Sequence, residues 1–475
     1  MSDGVTLPLW LFVLICVLAA LAALDRLLLP SARWYLRRRA NRVIEELNER
    51  LSLRLQPFKL TKRQALIDRV LYDPAVVEAV AAVAGERGMR HDEALAKAER
   101  YAREIVPSFN AYAYFRVGYR IARGLARILY RVRLGYADEA GLSEVPRNAS
   151  VVFVMNHRSN MDYVLVAYLV ARHSALSYAV GEWARVWPLQ ALIRAMGAYF
   201  VRRDSGDPLY RRVLASYVRL ATAGGVTQAI YPEGGLSRDG RLRPLKLGLL
   251  GYMLKSFDPE AERDLVFVPV GINYDRVLED RTLVRGADRE RARRGKVFMV
   301  ATLSGFVLRN LWLAARGRWY RFGYAGVGFG TPISTRDYLR RNSLDLAHLD
   351  ESAIHTAIER LGATLMAAAG QVIPALPVAL AATVFTNHPD EAISEIELKA
   401  GIHAVAHGLE ARGAHVYVPR ANQDYAVTVG LRMLTLRHLV TETAEGLYRA
   451  RAEELPLLRY YANSIAHLLG AESGG

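Results

Sequence analysis

The sequence holds a single cysteine, Cys16, and it lies in the most apolar stretch of the chain. No internal disulfide can form, and no thiol nucleophile is offered outside that stretch, which excludes cysteine-based acyl transfer. No Cys/His cluster has zinc-ligand spacing, so no metal and no bound cofactor is expected, and His388 and His467 read as ordinary helix or loop residues. Internal repeats and low-complexity tracts are absent. Acidic residues are in deficit, 47 against 63 basic ones, giving a formal net charge of +16. An anionic partner follows: nucleic acid, an acidic membrane surface, a phosphorylated substrate or an acidic carrier protein. Only one apolar run approaches the length of a membrane span, so a many-helix transporter is excluded. With 52% hydrophobic and 23% charged residues in 475, the composition is globular, and a chain of this length predicts roughly two to four folding units.

That apolar run, residues 7–24, reads LPLWLFVLICVLAALAAL and carries no charge. It is expected to be a transmembrane helix near the lower length limit. A cleaved signal would begin with a basic region, whereas only Asp3 precedes this run, and Arg26, Arg33, Arg37, Arg38, Arg39 and Arg42 follow it. The positive-inside rule then predicts a single-pass membrane protein with a cytoplasmic body. Two later runs differ. Residues 297–308 are too short to span and end at Arg309, and 367–385 are interrupted by Gln371, Pro374 and Pro377. Both are expected to be buried or interfacial, with a surface-dipping segment at 297–308 as an alternative.

Periodicity divides the rest. After an anchor at 1–30, residues 31–145 form a helical region, with apolar positions at helical spacing. Residues 146–334 alternate short β-rich runs, at 151–155, 198–201, 227–231, 265–272 and 325–329, with amphipathic stretches, which predicts an α/β sheet with crossover helices. Residues 335–475 return to helical spacing. The expected fold is therefore an α/β sheet domain flanked by N- and C-terminal helical regions behind one transmembrane helix.

The first strand of the α/β region runs into NHRSNMDY at 156–163. On a continuous helix, His157 and Asp162 would point roughly 140° apart. They can meet if His157 sits in the turn before the helix and Asp162 in its first turn, with Ser159 or Asn160 as cap. A strand, a tight turn and a helix place ligands in open α/β sheets, and an imidazole held by a carboxylate can take a proton from an alcohol. Further along, GAYFVRRDSGD at 197–207 places Arg202 and Arg203 at a strand end, as a phosphate fork or as a solvated basic patch. PEGGLSRDGR at 232–241 is a Gly-rich turn whose N–H groups, with Ser237 and Arg238, suit an anion or make an ordinary glycine turn. VFVPVGINYDRV at 266–277 is a buried strand whose Pro269 suits an edge or bulge.

These four segments, in this order, resemble the four blocks of the glycerol-3-phosphate 1-O-acyltransferase family. Residues 156–163 look like its His-x4-Asp block, 197–203 its Gly-aromatic-Arg-Arg block, 233–241 its Glu-Gly-Gly-x-Ser-Arg block and 268–277 its Val-Pro-Val block. RYYANSIAHLL near the C-terminus is similar to its closing helix. Asn160 stands where many members carry a second His, and Leu236 where many carry an Arg. The resemblance implies an acyltransferase domain at 146–334, with His157 as general base and Asp162 orienting it. It also implies Arg202, Arg203 and Arg238 on the substrate phosphate, and Glu233, Gly234, Gly235 and Ser237 shaping that pocket. The implied reaction moves an acyl group from acyl-CoA or acyl carrier protein to the 1-hydroxyl of glycerol 3-phosphate at an anionic membrane surface. Other acceptors are the alternative within enzymes: 1-acylglycerol 3-phosphate, dihydroxyacetone phosphate or a lysolipid. A non-catalytic membrane scaffold is the third reading. Nucleic acid is not expected, because basic residues are mixed with acids, as in DRERARRGK at 288–296, and no reader motif occurs.

Overall fold

Strand β2, Ser150–Met155, is SVVFVM, buried at every position. Its alternate side chains enter two different cores: Val151, Phe153 and Met155 face one, Val152 and Val154 the other. A strand apolar on both faces belongs inside a sheet covered by helices on both sides. The computed structural model describes residues 56–470 apart from 87, 172–173, 182–188, 203–204, 256, 287–321 and 347, and it contains such a sheet. The eight strands are β1 Arg131–Ala137, β2, β3 Ser177–Gly181, β4 Tyr199–Val201, β5 Gln228–Ile230, β6 Leu265–Tyr274, β7 Tyr324–Phe329 and β8 Ile333–Ser334. Their order is β1-β7-β6-β2-β5-β3-β4, with β8 on β6. The centre is parallel, β2 lying between β6 and β5 with Met155 opposite Val270 and Val154 opposite Ile230.

One face is covered by helices α1 Arg63–Leu71, α2 Pro74–Glu86 and α3 His91–Ile105, together with α6 Pro208–Ala223 and α7 Gly248–Leu254. On the other face lie α4 Tyr119–Leu129, behind a π turn at Ala113–Gly118, and α5 Met161–Val170. Helix α4 lies on α5, with Tyr119 stacked on Tyr168 at 6.0 Å. After the short α8 Asp280–Val284 come α9 Glu351–Gln371, α10 Pro377–Asn387, α11 Glu395–Glu410, α12 Gln423–Leu436 and α13 Leu455–Ala466. A small antiparallel sheet of β9 Ala392–Ile393, β10 Val440–Glu442 and β11 Tyr448–Ala450 joins them.

Several expectations are corrected or completed here. Arg131–Ala137, in a stretch read as helical, is an edge strand paired in parallel with β7. RVRLGYA alternates with period two, and its exposed arginines are the charges an edge strand tolerates. Pro269 is not at an edge: β6 is central, with β2 on one side and β7 and β8 on the other. The carbonyl of Pro269 accepts from Gly330 N at 2.8 Å, so its missing N–H faces the turn between β7 and β8, where the ladder lacks a partner strand. The run 367–385 is the end of α9 and most of α10, and α10 is buried among α11, α12 and α13, with Pro377 at its first position where no N–H is needed. Residues 7–24 and 297–308 lie outside the described residues, among which no helix is long and apolar enough to cross a membrane.

Two buried polar side chains tie the sheet together. Asp275 accepts Tyr324 N at 2.7 Å and Val378 N at 3.1 Å, joining β6 to β7 and to the start of α10, and burial pushes its carboxyl up to about 7. Asn156, at the end of β2, donates to Ile272 O at 2.9 Å and accepts from Ile272 N at 2.8 Å. Its amide continues the β2–β6 ladder where the β2 backbone turns away. Asn156→Ala would orphan two buried backbone groups at about 1–3 kcal/mol each. The expected outcome is a clear loss of melting temperature in detergent; an unchanged melting curve would show that this clasp carries no stability.

Candidate active site

The turn between β2 and α5 is built around one carboxylate. Asp162 is fully buried in the first turn of α5. Its Oδ2 accepts from His157 Nδ1 at 2.9 Å, Arg158 N at 2.8 Å and Ser159 N at 3.1 Å, while its Oδ1 accepts from the Tyr274 hydroxyl at 2.7 Å. The helix is capped by Ser159, whose Oγ accepts from Met161 N at 3.1 Å; Asn160 makes no side-chain cap bond. Asp162 thus gathers the N–H groups of the preceding turn and holds the imidazole by Nδ1. The Nε2 edge remains for a reacting hydroxyl. Tyr231 stacks on the imidazole at 4.1 Å between ring centroids, and Tyr163 meets it edge-on at 5.5 Å.

The Gly-rich loop grips His157 from the other side. Glu233 Oε1 accepts from His157 N at 3.3 Å, and Ser237 N donates to His157 O at 3.1 Å. Ser237 Oγ in turn donates to Arg241 O at 2.7 Å and accepts from Gly240 N at 3.0 Å, closing the loop on itself. Gly234 sits at φ +64° and Gly240 at φ +88°, conformations that favour glycine. A Cβ on Gly240 would also overlap the Tyr460 carbonyl oxygen of α13. Gly235 is buried between these grips, and Arg238 is exposed at the loop tip.

The arginine pair is placed elsewhere. Arg202, at the end of β4, forms a two-pronged pair with Glu104 of α3, at 2.9 and 2.7 Å, between the rings of Tyr101 and Tyr210. Its fork is occupied by a carboxylate, which raises its pKa further. Arg203 lies outside the described residues.

Four contributors escaped sequence reasoning. Tyr274 comes from β6. Glu279 accepts from Ser159 Oγ at 2.7 Å and from Asn160 N and Nδ2 at 3.2 and 3.0 Å, and burial raises its pKa. Arg158 is buried with Nη1 on Gly240 O and its guanidinium 4.7 Å from the Tyr460 ring centroid, while Nε and Nη2 have no hydrogen-bond partner among the described residues. Tyr460 closes that side. Only the invariably buried pattern of 266–274 hinted at Tyr274; nothing in spacing could have found Glu279. No group of three or more His, Cys, Asp or Glu suited to a metal occurs among the described residues.

The arrangement is a hydrogen-bonded His–Asp pair at a strand-to-helix turn, braced by a glycine loop. Residues 138–273 match the acyltransferase family, which defines the class. Residues 308–473 match the glycerol-3-phosphate acyltransferase C-terminal region, so two family models match successive parts of the chain. Curated relatives named glycerol-3-phosphate acyltransferase include those of Actinobacillus succinogenes, 27% identical over 86% of this chain and 50% of the relative, and Alteromonas mediterranea, 28% identical over 72% and 42%. The relative in Pseudomonas fluorescens (strain Pf0-1) is 30% identical over 59% and 32%. The chain spans about half the length, or less, of these relatives. The crystal structure of the 1-acyl-sn-glycerophosphate acyltransferase PlsC from Thermotoga maritima is 16% identical, covering 64% of this chain and 98% of that one at a TM-score of 0.29.

Burial pushes the Glu233 carboxyl up to about 8, against the pull of His157 N–H and the Arg158 charge. A carboxyl raised above its ordinary 4.5 keeps a proton in the folded state that the unfolded state releases. Its contribution to stability is therefore complete below about pH 4.5 and declines as the pH rises toward about 8. Glu233→Gln keeps an acceptor for His157 N–H and has no proton to lose. Its melting temperature should fall less steeply than that of the parent between those pH values. Parallel curves would show that Glu233 does not titrate there.

Proposed function

We propose that this protein transfers a fatty acyl group from acyl-CoA or acyl carrier protein to the 1-hydroxyl of glycerol 3-phosphate, giving lysophosphatidate. The observation that carries this reading is His157, tied to Asp162 through Nδ1 and gripped through both backbone groups by the Glu233–Ser237 loop. With Nδ1–H committed to Asp162, the imidazole accepts the hydroxyl proton at Nε2. The alkoxide attacks the thioester carbonyl, a C–O bond forms, and the tetrahedral adduct expels the thiolate, which takes the proton back from the imidazolium. Asp162, kept ready by four donors, steadies the positive imidazolium between these steps.

The substrate phosphate is assigned to Arg238, carried on the loop that braces His157, with Arg202 and Arg203 as further cations. Arg202 has to exchange Glu104 for the phosphate to serve in this way. Glu233, Gly234, Gly235 and Ser237 shape that pocket. Attachment through residues 7–24, with the body of the chain on the cytoplasmic side of the cell inner membrane, brings the site to the surface where acyl chains and product reside.

The test is to incubate the detergent-solubilised protein with palmitoyl-CoA and radiolabelled glycerol 3-phosphate, 1-acylglycerol 3-phosphate, dihydroxyacetone phosphate and lysolipids. Glycerol 3-phosphate should be the acceptor labelled; preferential acylation of another acceptor overturns the assignment. His157→Ala should lower kcat by at least about 10²-fold and Asp162→Asn comparably. Activity within about tenfold of the parent removes the base assignment. Arg238→Ala should raise KM for glycerol 3-phosphate about ten- to a hundredfold, with little change for palmitoyl-CoA. A rise confined to the donor KM would move Arg238 to the donor site.

A further inference from the structure

Behind the His–Asp turn lies a surface with an unusual composition. Residues 105–137 contain six arginines and no Asp or Glu. Six of the twelve large apolar side chains left exposed among the described residues also fall there: Tyr112, Val117, Ile121, Ile128, Leu134 and Tyr136. On α4 and the π turn before it, the exposed side chains form two adjacent rows. Arg116, Arg120, Arg123 and Arg127 recur every three or four residues, as do Val117 and Ile121, with Ile128 two turns beyond. The opposite side of α4, Ala122, Ala126 and Leu129, is buried toward α5. A helix whose outer face pairs guanidinium groups with a row of branched apolar side chains is built for the boundary between a charged and an apolar phase.

We propose that this face docks on an anionic bilayer, with Val117, Ile121 and Ile128 at the acyl boundary and the arginine row at the lipid phosphates. The binding would be additional to any anchorage by residues 7–24 and independent of the transferase reading. Charge argues against other occupants. The two longest segments outside the described residues are themselves basic and do not match this row in charge: residues 1–55 carry eight basic and five acidic side chains, and residues 287–321 carry nine and two. A second copy would oppose arginine to arginine. An acidic carrier protein would match the charge but leave the apolar row in water. Anionic headgroups above acyl chains satisfy both rows at once. Because α4 rests on α5, docking would bring the helix that carries Asp162 within one helix layer of the bilayer.

The test places reporters on the full-length protein. In a Cys16→Ser background, Ile121→Cys, Ile128→Cys and, on α11, Ile396→Cys are labelled with an environment-sensitive fluorophore. Ile121, Ile128 and Ile396 are 44%, 42% and 80% exposed, and Val117→Cys is a third reporter should one isoleucine variant fail to fold. Each is reconstituted in vesicles of phosphatidylcholine alone or mixed with phosphatidylglycerol. In the mixed vesicles, labels at 121 and 128 should shift to the blue and lose at least about threefold in quenching by aqueous acrylamide, while the label at 396 does not change. Arg120→Glu with Arg123→Glu should abolish the effect. Equal quenching at 121, 128 and 396 in mixed vesicles would overturn the proposal. So would equal protection in both vesicle types, or protection that appears only when acyl carrier protein is added.

Discussion

Four donors converge on the Asp162 carboxylate, and the geometry of the whole candidate site depends on that convergence. Two donors are backbone N–H groups of the turn, one is the imidazole and one is a hydroxyl from a different strand. In an interior without water, each N–H left unpaired costs free energy, so the turn can leave β2 at this angle only with a buried acceptor at that point. The acceptor that makes the turn stable is the same group that fixes the imidazole. In the proposed reading fold and chemistry would share one residue, so substitutions at Asp162 should disturb both, and kinetic effects there need a folding control that those at His157 need less.

The C-terminal helices complete this arrangement. Tyr461 donates to Asp280, which also pairs with Arg437, and Val277 N donates to the Tyr461 hydroxyl at 3.1 Å, fixing the segment that presents Glu279. On the other wall, Asn463 donates to Asp239 O at 2.8 Å, while Tyr460 packs against Gly240 and beneath the Arg158 guanidinium. One helix, α13, therefore holds both the Glu279 side and the Gly-rich loop side of the turn. That is a physical reason for the acyltransferase and C-terminal segments to occur together. The sheet supplies the strand ends, but the loops between them are positioned by a helix some 200 residues further along the chain.

The legible part of the site was the local part. His157 and Asp162 stand five residues apart after an apolar run, and only a strand-turn-helix break brings them together. The Gly-rich turn announced itself by composition. Tyr274 and Glu279 did not, since they reach Asp162 and Ser159 across more than 110 residues and only because β6 lies beside β2 in a given register. Arg202 shows the opposite failure: adjacent arginines at a strand end look like an anion fork, but Glu104, 98 residues earlier, fills the fork. Edge strand β1 was hidden by its arginines, which suit an exposed strand as well as an amphipathic helix. Pro269 was misplaced because the side of the strand its missing N–H faces is set by β7 and β8, not by the local sequence.

The Arg202–Glu104 pair also bears on where a phosphate can be recognised. Glu104 is buried and Arg202 partly so, with two parallel hydrogen bonds between aromatic walls. Withdrawing Arg202 would strip a buried carboxylate of its two-pronged guanidinium partner, a cost that an incoming phosphate has to exceed before any net affinity results. Within the Gly-rich loop, the backbone of Ser237 is committed to His157 while Arg238, the next residue, is exposed. In the proposed reading, a phosphate held by Arg238 would be carried on the same loop that grips the His157 backbone. In that reading the braced loop would couple recognition to proton transfer, whereas the Arg202 pair joins α3 to the sheet edge at β4.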